Sequence, residues 1–253
     1  MFDWKRRKVE RLDFIVAGAQ KSGTTALHYF LKRNPQIALP DRQELHFFDD
    51  EEIFSHPVDY ELLHRHFRPI GRQAIAGEIT PSYLYWQPAM ERIRNYNPEI
   101  KLVTLLRNPI DRAFAHWNMQ RFKNREALDF LDALKEERSR LAELPSMESR
   151  RFAYVDRGFY SLQLERVFKF FPREQVKIVK FEDFRDRKQE TLDGIFEFLG
   201  VAPLRRVRDK DRNVVPYERA MRPDERKYLS GVFAAEITKL EQMLGWDCSD
   251  WKL

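Results

Sequence analysis

Residues 12–31 read LDFIVAGAQKSGTTALHYFL: an apolar run, then a short loop with two glycines, then apolar residues at helical spacing. This order predicts a buried strand, a phosphate-binding loop and a helix. The glycines allow a tight turn that presents backbone N–H groups, and the start of the helix offers further unpaired amides to an anion. Lys21 adds a positive charge, and Thr24 and Thr25 add hydroxyl donors. A strand-to-helix turn with a solvated lysine would give the same pattern, so other residues must decide the ligand.

The order of residues in this loop argues against a magnesium-dependent triphosphate site. In the nucleotide triphosphatase pattern, Lys directly follows the second glycine, and the adjacent Ser or Thr holds magnesium. Here Lys21 precedes Gly23, an arrangement that suits a single 5′-phosphate-type group and needs no metal. The loop resembles the 5′-phosphosulfate loop of sulfotransferases that use 3′-phosphoadenosine-5′-phosphosulfate. The resemblance implies this cofactor, with adenosine 3′,5′-bisphosphate as its product, bound by Gln20, Lys21, Ser22, Gly23, Thr24 and Thr25.

The composition fits one enzyme domain that takes an anionic ligand. The chain has 253 residues, 43% of them hydrophobic and 20 of them phenylalanine, enough to fill one large α/β core. The net charge of +5 favours anionic ligands, but basic and acidic residues are mixed along the chain, so no nucleic-acid partner is expected. Cys248 is the single cysteine, and the first residues lack the apolar run of a signal peptide or membrane anchor. We therefore expect a cytoplasmic protein without a membrane span.

Predicted strands and helices alternate along the chain. This β-α-β order indicates an α/β single domain in which a mostly parallel central sheet is flanked by helices, with a P-loop-like, phosphosulfate-binding strand-loop-helix at its start. Strands are expected at 14–17, 74–80, 101–106 and 176–180, and helices at 24–34, 88–96, 109–122, 126–141, 159–171, 188–199 and 223–244. Ligands of such sheets bind at the carboxyl ends of the strands.

A second candidate anion-binding segment follows the strand predicted at 101–106. Arg107 stands where a guanidinium can make a bidentate contact to phosphate, or it can pair with Asp111 at the surface, and spacing alone does not separate the two. The segment resembles the 3′-phosphate motif of the same family, in which an Arg and a Ser two helical turns later hold the 3′-phosphate. Arg107 matches, but Ala115 occupies the Ser position, so one hydroxyl donor worth about 0.5–1.5 kcal/mol is missing.

The candidate catalytic base lies in residues 41–49, DRQELHFFD. If this stretch is extended, Glu44 and His46 point the same way, and a carboxylate beside an imidazole can take a proton from an acceptor hydroxyl. A loop salt bridge and a histidine at the edge of the core would show the same spacing, and spacing alone favours that interpretation. In heparan-sulfate-type and related bacterial sulfotransferases, a similar Glu-x-His-Phe-Phe stretch supplies the base. The resemblance therefore implies Glu44 as base, with His46 beside it.

Residues 77–84, GEITPSYL, resemble another family landmark at the end of a strand. Glycosaminoglycan-directed members tend to carry Lys where this chain has Ile79, which makes an anionic glycan acceptor less expected. Glu78 is either a structural carboxylate that anchors the phosphosulfate loop or a base. Tyr160, at the start of a predicted helix, either contacts the nucleotide or packs in the core.

A basic loop near the C-terminus completes the resemblance. Residues 208–213, RDKDRN, are similar to a loop that closes over the 3′-phosphate, with Lys210 and Arg212 as its candidate ligands, although a solvated charge run would look the same. The landmarks run in order from Leu12 to Trp246. We expect residues 1–253 to form one sulfotransferase domain, with a basic N-terminal segment at 1–10, the basic loop at 201–222, and a C-terminal helix and tail at 223–253.

The expected reaction is a single in-line transfer of a sulfuryl group to an acceptor hydroxyl. Glu44 would remove the hydroxyl proton, while Lys21 would stabilise charge on the departing 5′-phosphate. The six histidines show no recognisable ligand set, so no metal is expected. The acceptor, a sugar, a lipid-like alcohol or a small molecule such as a phenol, is left open. Two alternatives remain: a P-loop-type nucleotide kinase, which would need magnesium, and a non-catalytic nucleotide-binding module, which would have no use for Glu44.

Overall fold

A computed structural model describes residues 8–68, 73–143, 146–207 and 217–252. It divides into two compact units, the first formed by the described parts of Met1–Leu106 and Arg166–Asn213, the second by those of Arg107–Glu165 and Val214–Leu253. The first unit holds a five-stranded sheet in the order β2-β3-β1-β4-β5, and every pair of neighbouring strands is parallel. The predicted α/β fold with a parallel central sheet is confirmed.

The elements follow the predicted order closely. The strands are β1 (Phe14–Gly18), β2 (Ile37–Ala38), β3 (Ile75–Ile79), β4 (Lys101–Leu106) and β5 (Val176–Lys180). The helices are α1 (Thr24–Arg33), α2 (Glu61–His64), α3 (Ala89–Tyr96), α4 (Pro109–Phe122), α5 (Phe130–Glu143), α6 (Ser146–Ser149), α7 (Tyr160–Phe170), α8 (Phe181–Asp186), α9 (Lys188–Leu199) and α10 (Pro223–Leu244).

Local sequence explains where the main helices begin and end. Helix α4 starts at Pro109, whose fixed φ suits the first helical position, and the Asn108 side chain accepts a hydrogen bond from the Ile110 amide at 3.0 Å. Helix α9 ends at Gly200, which has a φ of 78°. At that conformation a residue with a Cβ is strained, so glycine is the favoured stop.

The core of the first unit packs around the central strand. All five residues of β1 are buried, as expected for a strand with a neighbour on each side and covered faces. Phe14 and Val16 join a cluster with Leu27 and Leu31 of α1 and with Phe196 of α9. Strand order reverses at β1, so its carboxyl end is the place where sheets of this kind leave a crevice for a ligand.

One predicted helix start is wrong. The helix expected from Glu126 begins at Phe130, and Glu126 precedes it as a buried carboxylate. Glu126 accepts hydrogen bonds from the Leu128 amide at 2.9 Å and the Tyr154 hydroxyl at 2.8 Å, and it pairs with Arg140. These long-range contacts, which no local pattern reveals, hold the residues before α5 outside the helix.

Candidate functional site

The predicted phosphate loop leaves the carboxyl end of β1. The Ala19 amide donates to the Leu105 carbonyl of β4 at 2.7 Å, and the Ser22 amide donates back to the Ala19 carbonyl at 3.2 Å, which closes the loop. Lys21, at its apex, has a φ of 69°, in the left-handed region that non-glycine residues rarely occupy. Between strand β1 and helix α1 the chain makes the tight turn that the sequence pattern indicated, and the structure adds that Lys21 is in a strained conformation.

Gly23 joins this loop to helix α1. Its φ is 88°, and a Cβ at this position would approach the ring of Phe181 to 2.9 Å, so both conformation and space require glycine. No side chain within the described ranges caps the start of α1. Because the first turn of a helix has no internal acceptors for its amides, these N–H groups and the positive end of the helix dipole can receive an oxyanion.

The side chains of the loop also fit an anionic group. Ser22 is fully buried, and its hydroxyl has no hydrogen-bond partner among the residues that the structure describes. Thr24 is buried, whereas Thr25, next to it, is exposed. A phosphate or sulfate oxygen would satisfy hydroxyl and amide donors of this kind, which otherwise cost free energy when they are buried without an acceptor.

Glu44 and His46 come together, but not in the way the sequence suggested. The sequence analysis considered the case of an extended segment, but Glu44 has a φ of 53° and His46 a φ of 56°, both left-handed. The His46 Nε2 atom nevertheless lies 3.6 Å from the Glu44 carboxylate. The side chains of Glu44 and His46 thus lie close together with both residues in the left-handed conformation.

Asp49 and Ser82 extend this pair into a network that the sequence analysis missed. The Asp49 carboxylate is buried and lies 3.1 Å from His46 Nδ1, and it accepts a hydrogen bond from the Ser82 hydroxyl at 2.5 Å. The hydrogen bonds to Asp49 and then to Glu44 raise the pKa of His46 to about 9. His46 is therefore an imidazolium at neutral pH, with a carboxylate on each side. The available sequence signal was the position of Asp49, three residues after His46.

The turn at residues 80–83 supports the same segment. The Tyr83 hydroxyl donates to the buried Glu78 carboxylate at 2.7 Å, and it accepts from the amides of Phe47 at 2.9 Å and Phe48 at 3.3 Å. Thr80 donates to the other Glu78 oxygen at 2.8 Å. Burial raises the pKa of Glu78 to about 7. Through Tyr83, Glu78 is linked to the segment that carries Glu44 and His46.

A small cavity joins the phosphate loop to the candidate base. Its lining residues are Thr24, Thr25, His28, Gln43, Glu44 and Ile79. Gln43 lies 2.9 Å from His28 Nδ1, a contact that ties the Glu44 segment to helix α1. Burial, with a smaller contribution from Lys32, lowers the pKa of His28, which keeps this imidazole neutral.

The second unit contains Arg107, directly after β4 in the chain. The Arg107 carbonyl accepts a hydrogen bond from the buried Tyr160 hydroxyl at 3.1 Å. Asp111, the alternative partner considered for Arg107, pairs with Arg226 at 2.7 Å. Ala115 is buried in α4. The remaining predicted 3′-phosphate ligands, Lys210 and Arg212, lie outside the described residues.

The residues that the structure describes contain neither a metal-binding cluster nor a membrane-spanning helix. Within those residues, no group of three or more His, Cys, Asp or Glu side chains could hold a metal ion. No helix in the described part of the chain is long and apolar enough to cross a membrane.

The match to a family model identifies the chain. Residues 11–211 match the model described as the sulfotransferase domain, a range that includes the phosphate loop, the Glu44 segment and Arg107. The chain belongs to this sulfotransferase family and is an enzyme of that class.

Similar proteins agree with this assignment. The chain is 23% identical to the membrane-associated sulfotransferase kil1 of Dictyostelium discoideum, over 93% of the chain and 65% of the relative. It is 28% identical to the human bifunctional heparan sulfate N-deacetylase/N-sulfotransferase 2, over 79% of the chain and 23% of the relative. The chain thus spans less than two thirds of either relative.

A solved structure supports the fold assignment. A sulfotransferase from Alicyclobacillus acidocaldarius superimposes with a TM-score of 0.79 at 31% identity, and the match covers 97% of this chain and all of that one. The α/β architecture described above is therefore that of a known sulfotransferase.

Proposed function

We propose that this sulfotransferase moves a sulfuryl group from 3′-phosphoadenosine-5′-phosphosulfate to an acceptor hydroxyl, with Glu44 as the general base. One observation carries the proposal: Glu44 lines the same cavity as Thr24 and Thr25, the first residues of the helix that follows the phosphate loop. The proposed proton acceptor thus lines one small cavity with the start of the helix that is proposed to bind the oxyanion. An in-line displacement needs this pairing, because the attacking oxygen loses its proton on one side of sulfur while the leaving oxygen gains charge on the other.

The loop residues would hold the phosphosulfate end of the donor. Lys21, the hydroxyls of Ser22, Thr24 and Thr25, and the first amides of α1 are donors that the fold fixes in advance. Preorganised donors stabilise charge as it develops on a departing oxygen without further rearrangement. The donor supplies the sulfuryl group and a nucleotide leaving group. Gln20 and Gly23 complete the proposed loop contacts.

His46 would assist Glu44 by charge. As an imidazolium it attracts the Glu44 carboxylate at 3.6 Å, while Asp49 on its other ring nitrogen fixes the orientation of the ring. Glu44 then faces the acceptor as an anion ready to take the hydroxyl proton. After transfer, that proton resides on Glu44 and passes to solvent.

We also propose that Arg107, together with Lys210 or Arg212, binds the 3′-phosphate of the donor. A guanidinium suits a phosphate because its parallel N–H groups match two phosphate oxygens. Arg107 follows β4 directly in the chain, and ligands of parallel sheets bind beyond the carboxyl ends of their strands. The proposed cofactor-binding set includes no metal.

For the molecule that receives the sulfuryl group, we propose only a chemical class, a compound with a free hydroxyl. A hydroxyl-bearing sugar, lipid-like alcohol or small molecule fits the proposed chemistry, and one relative, 29% identical over 75% of the chain, is the mouse heparan sulfate glucosamine 3-O-sulfotransferase 5. Ile79, an apolar residue, lines the cavity beside Glu44, which favours an uncharged acceptor group there. A cytoplasmic location and the organisation of residues 1–253 as one domain stay predictions.

The test is sulfuryl transfer by the variants Glu44→Gln and Lys21→Ala. Radiolabelled donor is offered with a panel of sugars, long-chain alcohols and phenols, in magnesium-free buffer, and binding of adenosine 3′,5′-bisphosphate is measured in parallel. We expect Glu44→Gln to lose about 10²-fold or more in turnover, with nucleotide affinity retained. Lys21→Ala should lose about 10²-fold in turnover because charge on the leaving oxygen is no longer stabilised.

Glu91→Gln is the matched control, since Glu91 is an exposed carboxylate on α3. It should transfer sulfuryl groups like the unmodified protein. Normal turnover in Glu44→Gln would eliminate Glu44 as the base. A strict requirement for magnesium would favour a kinase-type reaction instead.

A further inference from the structure

Glu78 is a carboxylate inside the protein that does not reach the candidate reaction site. It lies in β3, is fully buried, and receives one hydrogen bond on each oxygen, from Tyr83 at 2.7 Å and from Thr80 at 2.8 Å. Above its pKa of about 7, Glu78 is an ionised carboxylate, which only accepts hydrogen bonds. Both hydroxyl protons must therefore point toward Glu78.

Because both hydroxyl protons point toward Glu78, the hydroxyl oxygens of Tyr83 and Thr80 can only accept hydrogen bonds from their remaining neighbours. A hydroxyl has one proton, so Tyr83, having donated to Glu78, can only accept from other groups. Its oxygen lies 2.9 Å from the Phe47 amide and 3.3 Å from the Phe48 amide, and both of these groups can only donate. The Thr80 oxygen likewise faces the His46 amide, at 3.5 Å. Each hydrogen bond is consistent with the others only if Glu78 accepts twice.

The backbone held in this way is the one that carries the candidate base. Glu44 and His46 both have left-handed φ values, a conformation that costs about 1–2 kcal/mol for a residue with a Cβ and persists where the surroundings enforce it. The hydroxyls of Tyr83 and Thr80 accept hydrogen bonds from the amides of residues 46–48, which lie two to four residues after Glu44. These hydrogen bonds help to hold the backbone at Glu44 and His46 in its left-handed conformation.

We propose that Glu78 is a positioning residue for sulfuryl transfer: by orienting the hydroxyl protons of Tyr83 and Thr80, it fixes the backbone that holds Glu44 and His46 in place. The inference rests on the proposed role of Glu44. Glu78 itself contacts neither the acceptor nor the donor. It acts on the reaction through Tyr83 and, more weakly, through Thr80.

The direct test replaces the carboxylate by an amide of the same shape. In Glu78→Gln the NH₂ group donates where a carboxylate oxygen accepted, so one hydroxyl must turn its proton toward a backbone amide that also donates. We expect kcat to fall about 10-fold to 100-fold, since small displacements of a catalytic group have effects of this size. The Kd for adenosine 3′,5′-bisphosphate should change less than about twofold, because the phosphate loop is not held by Glu78.

Tyr83→Phe tests the same path without removing a buried charge. It deletes only the hydroxyl, and we expect the same loss in kcat with unchanged nucleotide affinity. The double variant Glu78→Gln/Tyr83→Phe should lose less than the product of the two single losses, because Glu78 acts through Tyr83. Tyr83→Phe decides the question if Glu78→Gln does not fold.

Two matched controls separate positioning from general stability. Tyr96→Phe deletes another tyrosine hydroxyl of the same unit, one that accepts a hydrogen bond from the Leu12 amide at 2.7 Å. Glu137→Gln replaces another buried carboxylate, one that accepts hydrogen bonds from the backbone amides of Val155 and Asp156. Both should lower the melting temperature while kcat stays within about twofold of the unmodified protein.

The outcomes distinguish this inference from the proposed function. Unchanged kcat in folded Glu78→Gln and Tyr83→Phe, with kcat lost in Glu44→Gln, would overturn the positioning role alone. Normal kcat in Glu44→Gln would refute the base assignment whatever the Glu78 variants do. Equal losses of kcat and nucleotide affinity in the Glu78 and Tyr83 variants would show that Glu78 merely supports the fold.

Discussion

Lys21, Glu44 and His46 share an uncommon backbone conformation. All three have φ values between 53° and 69°, a region where non-glycine residues are strained. Strain of this kind concentrates at functional sites because the surrounding structure has to enforce it. Here the enforcing groups around Glu44 and His46 are identified: Asp49, Tyr83 and Thr80 bind the side chain of His46 and the amides next to it.

The charge of His46 leads to a prediction on the pH dependence of turnover. With a pKa of about 9, His46 donates to Asp49 and faces Glu44 as a cation at neutral pH. Above pH 9 it loses one proton, the remaining N–H stays with Asp49, and Glu44 loses its cationic neighbour. We expect kcat to fall as pH rises through about 9, measured by transfer of labelled sulfuryl groups across pH 6–10.

His46→Asn provides the comparison for this prediction. The variant has no titrating group at position 46, so its lower kcat should not show the decline near pH 9. A decline that persists unchanged in His46→Asn would assign it to another group. The same measurement in Tyr96→Phe controls for loss of a buried contact in this unit.

At the scale of strands and helices, the sequence predicts most of the fold. Long periodic segments such as α4, α9 and α10 are found at the predicted residues, because apolar spacing, proline and glycine act locally. Strand β2 was missed, since two residues carry no periodic signal. Helix α5 was predicted to start too early, because Glu126 is held by Tyr154 and Arg140, which are distant in sequence.

The candidate site was less predictable than the elements around it. The phosphate loop could be found from residues 18–25 alone, because glycine, lysine and threonine at that spacing carry their own chemistry. The left-handed backbone at Glu44 and His46 depends on contacts with a turn far along the chain, which spacing does not encode. The roles of Asp49 and Glu78 depend on the same contacts. Lys210 and Arg212 lie outside the described residues, so their role as 3′-phosphate ligands stays a prediction.

Gly23→Ala tests the loop and helix α1 as one element. The added methyl group would have to fit at a φ of 88° and within 2.9 Å of Phe181. We expect the melting temperature to fall, with a free-energy cost on the order of 1–2 kcal/mol for the conformation alone, and nucleotide affinity to fall about 10-fold or more as the first amides of α1 shift. Isothermal titration with adenosine 3′,5′-bisphosphate and thermal unfolding measure the two effects.

Gly200→Ala is the control for this variant. Gly200 also has a left-handed φ, 78°, but a Cβ there would meet no atom closer than 3.9 Å. It should lower stability while leaving nucleotide affinity unchanged. Equal affinity in Gly23→Ala and the unmodified protein would contradict the role of this helix start.

Across the whole molecule, Glu78, Glu137 and His46 make stability fall as pH rises, whereas the lowered pKa values of His28 and His64 act in the opposite direction. Burial raises the pKa of Glu78 in the first unit and of Glu137 in the second from 4.5 to about 7. The folded protein therefore holds protons that the unfolded chain releases between pH 4.5 and 7, so stability falls over that interval. The raised pKa of His46 contributes stability that is full below 6.5 and is lost as pH rises through 9.

We therefore expect the free energy of unfolding to be lower at pH 8.5 than at pH 5.5. Each buried carboxyl contributes roughly 2 kcal/mol to the difference, because its pKa of about 7 lies about 1.5 units above pH 5.5 and each unit is worth about 1.4 kcal/mol. Urea unfolding of the nucleotide-free protein at the two pH values measures it, and Glu78→Gln or Glu137→Gln should each reduce the difference. Equal stability of the unmodified protein at both pH values would contradict these shifts.

The hydrogen bonds between the 80–83 turn and residues 46–49 also limit how the sequence between Asp49 and β3 can change during evolution. Asp49 is bound by Ser82, and β3 starts again at Ile75, so both ends of the intervening stretch are fixed by the sheet and its turn. Within its described part, the stretch carries one short 3₁₀ turn at Ile53–Ser55 and the single turn of α2. The stretch also packs on the segment that carries Glu44: Phe54 and Tyr60 contact Phe47, and His66 pairs with Asp41. Changes that adapt these residues to a new acceptor must therefore preserve those contacts if Glu44 is to stay in place.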